Sequence, residues 1–125
     1  MTDKPVRIPG PDHPITITPR AGRVLVRLGG RVIADTKKAL VLKEASYPSV
    51  NYIPREDADM ALLAPSSHTS YCPYKGDCSY LSIPIGDERA RNAVWSYENP
   101  YPAVAAIKGY LAFYPDRVEI EETAA

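Results

Sequence analysis

The stretch HTSYCPYKGDCSY, His68 to Tyr80, gathers much of the reactive chemistry of this 125-residue chain: one of two histidines, both cysteines and three of nine tyrosines. Metal binding is the first chemistry to weigh. His68, Cys72 and Cys78 follow one another as H-x3-C-x5-C. Structural zinc instead uses C-x2-C knuckles, because two thiolates must converge at about 2.3 Å from one ion across a tight turn. There is no second cysteine pair, and the other histidine, His13, lies far away beside Pro14. No metal is expected, and two buried or half-buried thiols are the better account. Thiol catalysis is the sharper alternative. Cys72 has His68 four residues before it and Lys75 three after, and a compact turn would bring both toward the sulfur and lower its pKa. Against this, cysteine is among the most buried residue types, and Pro73 marks a rigid structural loop. The gap between Cys72 and Cys78 is also not the C-x-x-C geometry of dithiol oxidoreductases.

Nucleotide chemistry leaves a fainter trace. Neither G-x-x-x-x-G-K-[ST] nor G-x-G-x-x-G occurs. Asp57-Ala58-Asp59 has the D-x-D form that holds two metals in nucleotidyl transfer when both carboxylates share one face. In a helix, two residues apart means about 200° apart, so these acids are better read as a helix start. The aromatic residues say more. All nine tyrosines and the single tryptophan lie between Tyr47 and Tyr114. A tyrosine offers a flat apolar wall with a hydroxyl handle, which suits a pocket for planar ligands. Any one ring could simply span core and rim. The cluster of Tyr52, Tyr71, Tyr74, Trp95 and Tyr97, with Arg55, His68 and Lys75 close by, favours a cavity that takes a small planar or anionic molecule. The competing account of the cations is ordinary surface ion pairing, for instance of Arg55 with Asp57 or Asp59, which contributes little.

Positioning these residues falls to short strands. Thirteen prolines are spread along the chain, and each interrupts or ends a regular element. Arg23–Leu28 and Arg31–Asp35 flank Gly29-Gly30, a two-residue hairpin signal. That loop would pair Val26 with Ile33 and Leu25 with Ala34. Ile15–Ile17, Ala39–Lys43, Val50–Ile53, Ser79–Ile83, Ala93–Tyr97, Tyr110–Tyr114 and Val118–Ile120 read as further strands, the fourth and fifth of these flanking a turn at Gly86-Asp87. Arg55–Leu63 reads as a two-turn helix with acids in its first turn, and Ala103–Ile107 as a second helical turn. HTSYCPYKGDCSY itself reads as a proline-stiffened loop entering a strand. The sum is a mainly β protein of about eight strands, mostly antiparallel: an N-terminal arm over 1–14 and one domain over 15–122.

Composition bounds the partners. Fifteen basic and fifteen acidic residues cancel, which is not the field of a general nucleic-acid binder. No run of about eighteen apolar residues exists to span a membrane, and the N-terminus lacks the apolar core of a signal peptide. A soluble cytoplasmic protein with reduced cysteines is expected.

The segments ASYPSVNYIPREDADMALL, HTSYCPYKGD, NAVWSYENPYPAVAAI and LAFYPDRVE resemble the bacterial domain-of-unknown-function family four-twenty-seven, over 10–122. That family is similar to the β-tent folds, in which two antiparallel sheets lean together over a pocket, and it has carried a nucleotidyltransferase-like label. The resemblance implies a pocket between the sheets, lined where Tyr52, Arg55, His68, Tyr71, Tyr74, Lys75, Trp95 and Tyr97 fall. The C-x-x-C knuckles of zinc-bearing β-tents are absent. Related chains often have a small residue where Cys78 stands and histidine where Tyr110 stands, which weakens a paired-cysteine mechanism. Three classes of function follow. The chain is a small-molecule binding module without a cofactor, an enzyme working in the same cavity through Cys72 and His68, an acid–base pair or nucleotidyl transfer, or a structural or interaction domain. No oligomeric state is specified.

Overall fold

The computed structural model describes residues 4–124; Met1, Thr2 and Asp3, the start of the arm expected from the sequence, and Ala125 lie outside the described residues. Ten short strands form three antiparallel ladders. The first pairs β1 (Ile15–Pro19) with β4 (Leu40–Glu44) and β4 with β5 (Val50–Tyr52). The second places β2 (Arg23–Leu28) between β10 (Glu119–Thr123) and β3 (Arg31–Thr36). The third runs β6 (Ala64–Cys72), β7 (Gly76–Ser82), β8 (Val94–Ser96) and β9 (Ala112–Phe113), in that order. An isolated bridge from Ile53 to Leu111, with N–O distances of 2.7 and 2.8 Å, stitches the end of β5 to the start of β9. It joins the first and third ladders edge to edge along one seam. The mainly β, single-domain architecture agrees with the expectation from proline spacing and hairpin chemistry. Among the described residues, no helix is long and apolar enough to cross a membrane.

The Gly29-Gly30 turn forms with φ of +57° and +80°, the conformation a type I′ hairpin requires. Its register differs from the simple count. A bulge between Val26 and Arg27 shifts the ladder, so that Val26 faces Ala34 and Leu25 faces Asp35. One extra residue in β3 lets Ile33 and Ala34, adjacent in sequence, both be buried, which strict alternation would forbid.

The expected helix over 55–63 is replaced by two separate 3-10 turns, Arg55–Asp57 and Met60–Leu62. Between them Ala58 is extended (φ −111°, ψ 148°) and bridges Ala34, while the Asp59 amide donates to the Ile33 carbonyl at 2.8 Å. Tertiary pairing to β3 thus overrides local helix propensity. Asp57 accepts from the Thr36 hydroxyl at 2.7 Å and stands in a different turn from Asp59. The helical turn expected at Ala103–Ile107 is a 3-10 segment over Pro102–Ile107 that buries Val104 and Ile107.

The loop expected at His68–Tyr80 is a β-hairpin. β6 pairs β7 from Thr69 opposite Ser79 to Cys72 opposite Gly76, with Pro73, Tyr74 and Lys75 as the connection. β6 carries no strand signal in the sequence because it is a polar, solvent-exposed edge without apolar alternation. The arm lies against this hairpin: the Arg7 amide donates to the Pro73 carbonyl at 2.9 Å, the Tyr71 hydroxyl to the Pro5 carbonyl at 2.6 Å, and Lys4 pairs with Asp77. Two apolar clusters hold the ladders together. One centres on Val24, Val26, Ile33, Ile53 and Leu111, the other on Leu42, Tyr52, Cys78, Tyr97, Val104 and Ile107.

Candidate functional site

Trp95 is the centre of the site. In β8 it stands between Tyr80 of β7 and Ala112 of β9. Its neighbours Val94 and Ser96 are fully buried, and strand alternation turns the half-buried indole to the opposite side. Across the seam, Tyr52 of β5 meets it edge-on, with ring centroids 6.4 Å apart at 89°. The indole N–H donates to the Tyr52 hydroxyl at 3.2 Å. Tyr114 lies tilted against the indole, centroids 4.6 Å apart.

The cleft between the ladders has two chambers that share Tyr47, Pro48, Val50, Trp95 and Tyr114. The inner chamber, of about 230 Å³, is completed by Leu42, Glu44, Tyr52, Lys75, Tyr80 and Tyr97. The outer one, of about 760 Å³, is apolar, with Val24, Val26, Ile53, Phe113 and Ile120 in its walls. Asn51 and Glu122 also line it, and the Asn51 side-chain amide donates to Glu122 at 2.6 Å.

One end of the inner chamber is charged but balanced. Lys75, only 8% exposed, forms an ion pair with one carboxylate oxygen of Glu44. The other oxygen lies 2.7 Å from His13 Nε2. The imidazole stacks flat on Tyr74, centroids 3.9 Å apart at 5°, and Lys75 Nζ sits 5.8 Å from the Tyr97 ring centre. Burial disfavours the Glu44 carboxylate, but hydrogen bonds from Lys75 and His13 outweigh it and hold its pKa below the ordinary glutamate value. Burial raises the phenols of Tyr52 and Tyr97 far above their usual range and pushes Tyr80 up to about 12. All three are therefore neutral hydroxyls at neutral pH and serve as hydrogen-bonding groups, not bases.

Of the residues singled out in the sequence, Tyr52, Lys75, Trp95 and Tyr97 line the inner chamber together. Arg55 does not line it. Its Nε donates to the Gly109 carbonyl at 2.7 Å and its Nη2 to Ser96 Oγ at 3.2 Å, with Glu98 at 3.5 Å, so its carboxylate partner is Glu98 in place of Asp57 or Asp59. Tyr74 supports His13 from behind the charged end. The Tyr71 hydroxyl meets that of Tyr101 at 2.6 Å. His68 is exposed and tilts against Tyr80, centroids 4.5 Å apart.

The compact turn that would bring His68 to Cys72 does not form. Both sit in one strand, where four residues span about 13 Å. Cys78 is buried, and that burial raises its thiol pKa, the opposite of nucleophile activation. Among the described residues, no three His, Cys, Asp or Glu side chains converge as metal ligands.

Sequence reasoning passed over Glu44, Tyr47, Tyr80, Tyr114 and His13. Glu44 did leave a signal: Leu40, Leu42 and Glu44 alternate onto one face of β4, and a carboxylate ending an apolar face asks for a partner. Tyr47 and Tyr114 carry no such mark.

The family model described as "Domain of unknown function (DUF427)", named NTP_transf_9, matches residues 16–124. The chain belongs to that family. No curated protein matches it.

Proposed function

We propose that this DUF427 domain is a small-molecule binding module that takes a planar ligand into the Trp95 cleft. One observation carries this reading: Trp95, Tyr52, Tyr97 and Tyr114 wall a cavity between ladders, while the buried charges beside it, Lys75 and Glu44, already neutralise each other. A planar apolar ring gains burial and edge or face contact with such walls. A site whose charges are satisfied imposes no large desolvation cost on a neutral ring. The hydroxyls of Tyr52 and Tyr97 can orient a polar edge of the ligand.

Trp95 is the single tryptophan, so its emission reports on the cleft alone. A generic planar probe, 2-naphthol, is expected to bind saturably by calorimetry and to perturb that emission. Trp95→Phe keeps an apolar ring but loses area and the indole donor. It should weaken 2-naphthol about tenfold, equivalent to about 1.4 kcal/mol. A Trp95→Phe protein that loses stability but binds 2-naphthol as the parent does would show that the indole is core filling, and would refute the binding reading.

A further inference from the structure

We infer that a polar pocket beyond Tyr80 and Tyr114 is an anion subsite joined to the Trp95 cleft, so that the ligand is a planar ring bearing an anionic arm. The inference rests on the binding reading above and deepens it. Tyr80 and Tyr114 line both the inner chamber and this second pocket, of about 280 Å³. They form a sill shared by an aromatic space and a polar one.

Beyond the sill stand His68, Arg91, Asn92 and Arg117, with Glu88 as the one acid among the lining residues. The Arg117 guanidinium lies 5.1 Å over the Tyr114 ring. It donates one hydrogen bond, at 3.0 Å, to the Arg91 carbonyl, and the rest of its donor fork is uncommitted among the described residues. Arg91 pairs with Glu88 at 3.1 Å, but both side chains are well exposed, so that pair holds Arg91 weakly. Two guanidinium groups against one carboxylate leave the pocket with a net positive charge.

The charged end at Lys75 is different, because Glu44 already cancels it. An anion therefore belongs on the Arg117 side. Asn92 holds a left-handed backbone (φ +54°), and its side-chain carbonyl oxygen is enclosed by the protein, so the cations alone define the subsite. The Tyr80 hydroxyl, 2.9 Å from Ser70 Oγ, offers a further polar contact at the crossing.

Calorimetry with 2-naphthyl phosphate, 2-naphthol and inorganic phosphate tests the subsite, read as the ratio of the two naphthyl affinities. The phosphate ester is expected to bind at least tenfold tighter than 2-naphthol, and inorganic phosphate far more weakly than the ester. Arg117→Gln should bring the ratio close to one, with smaller reductions for Arg91→Gln and His68→Gln, whose exposed positions leave folding intact should Arg117→Gln be unstable. Equal affinities in the parent protein would overturn the subsite while leaving the Trp95 cleft standing. So would a tenfold preference that survives all three substitutions, or one removed instead by Lys75→Met. Failure of both naphthyl compounds to bind would overturn the cleft and the subsite together.

Discussion

Glu44→Gln is the most informative single perturbation of the fold around the site. Lys75 and Glu44 expose about a tenth of their side chains, 10% and 13%, so neither charge is supported by much water. Removing the carboxylate charge leaves the Lys75 ammonium buried, and breaking one partner of a buried pair costs about 3–5 kcal/mol. Glutamine still offers an oxygen to Lys75, which places the expected loss near the lower bound, about 3 kcal/mol. For a chain of this length that is a fall in Tm of about 11 °C, from the usual unfolding entropy per residue.

Lys75→Met should cost less, about 2 kcal/mol, because Glu44 keeps His13 as a partner. The double variant should be more stable than Glu44→Gln alone, since no buried charge is stranded. Urea unfolding with unchanged m-values is the assay. The acid limb carries the sign. Glu44 has a folded pKa below its ordinary value of 4.5, so its contribution is fully present above that value and is lost as the pH falls through the lowered one. The parent protein should therefore lose more stability than Glu44→Gln as the pH falls below 4.5. A Glu44→Gln loss under about 1 kcal/mol, or strict additivity in the double variant, would show that the pair is solvated and would refute this account.

Two further outcomes follow from the same geometry. Arg55→Ala should cost about 2 kcal/mol, because a charged group's hydrogen bonds to Gly109 and Ser96 are lost, yet calorimetry should find 2-naphthol affinity within about twofold of the parent. With iodoacetamide under native conditions, mass spectrometry should find Cys72 modified first and Cys78 only on unfolding, since Cys78 is 2% exposed and its thiol is held neutral by burial; early loss of Cys78 would contradict its buried placement.

Local chemistry alone determined a good deal of this protein. Thirteen prolines exclude long helices, Gly29-Gly30 reads as a positive-φ hairpin turn, and Ser79–Ile83 and Ala93–Tyr97 read as strands, which the structure pairs antiparallel. The resemblance in four long segments named the family that the whole-domain match supports. Four of the cleft residues, Tyr52, Lys75, Trp95 and Tyr97, were legible as aromatic and basic side chains.

What the tertiary structure decided is pairing. The segment 55–63 has helical character, but Ala58 gains a bridge to Ala34 that no local pattern encodes. β6 is polar and exposed, so its strand state depends on hydrogen bonds to β7 instead of on burial. Charge behaves the same way. The sequence shows that Arg55 and Lys75 are cations, but whether each is free depends on which oxygen it reaches. Glu44 meets Lys75 from thirty-one positions away, and Gly109 meets Arg55 from fifty-four. Contacts at such separations are fixed by how the ladders close on one another, which is why four residues of the cleft's wall could be read from the chain and its electrostatics could not.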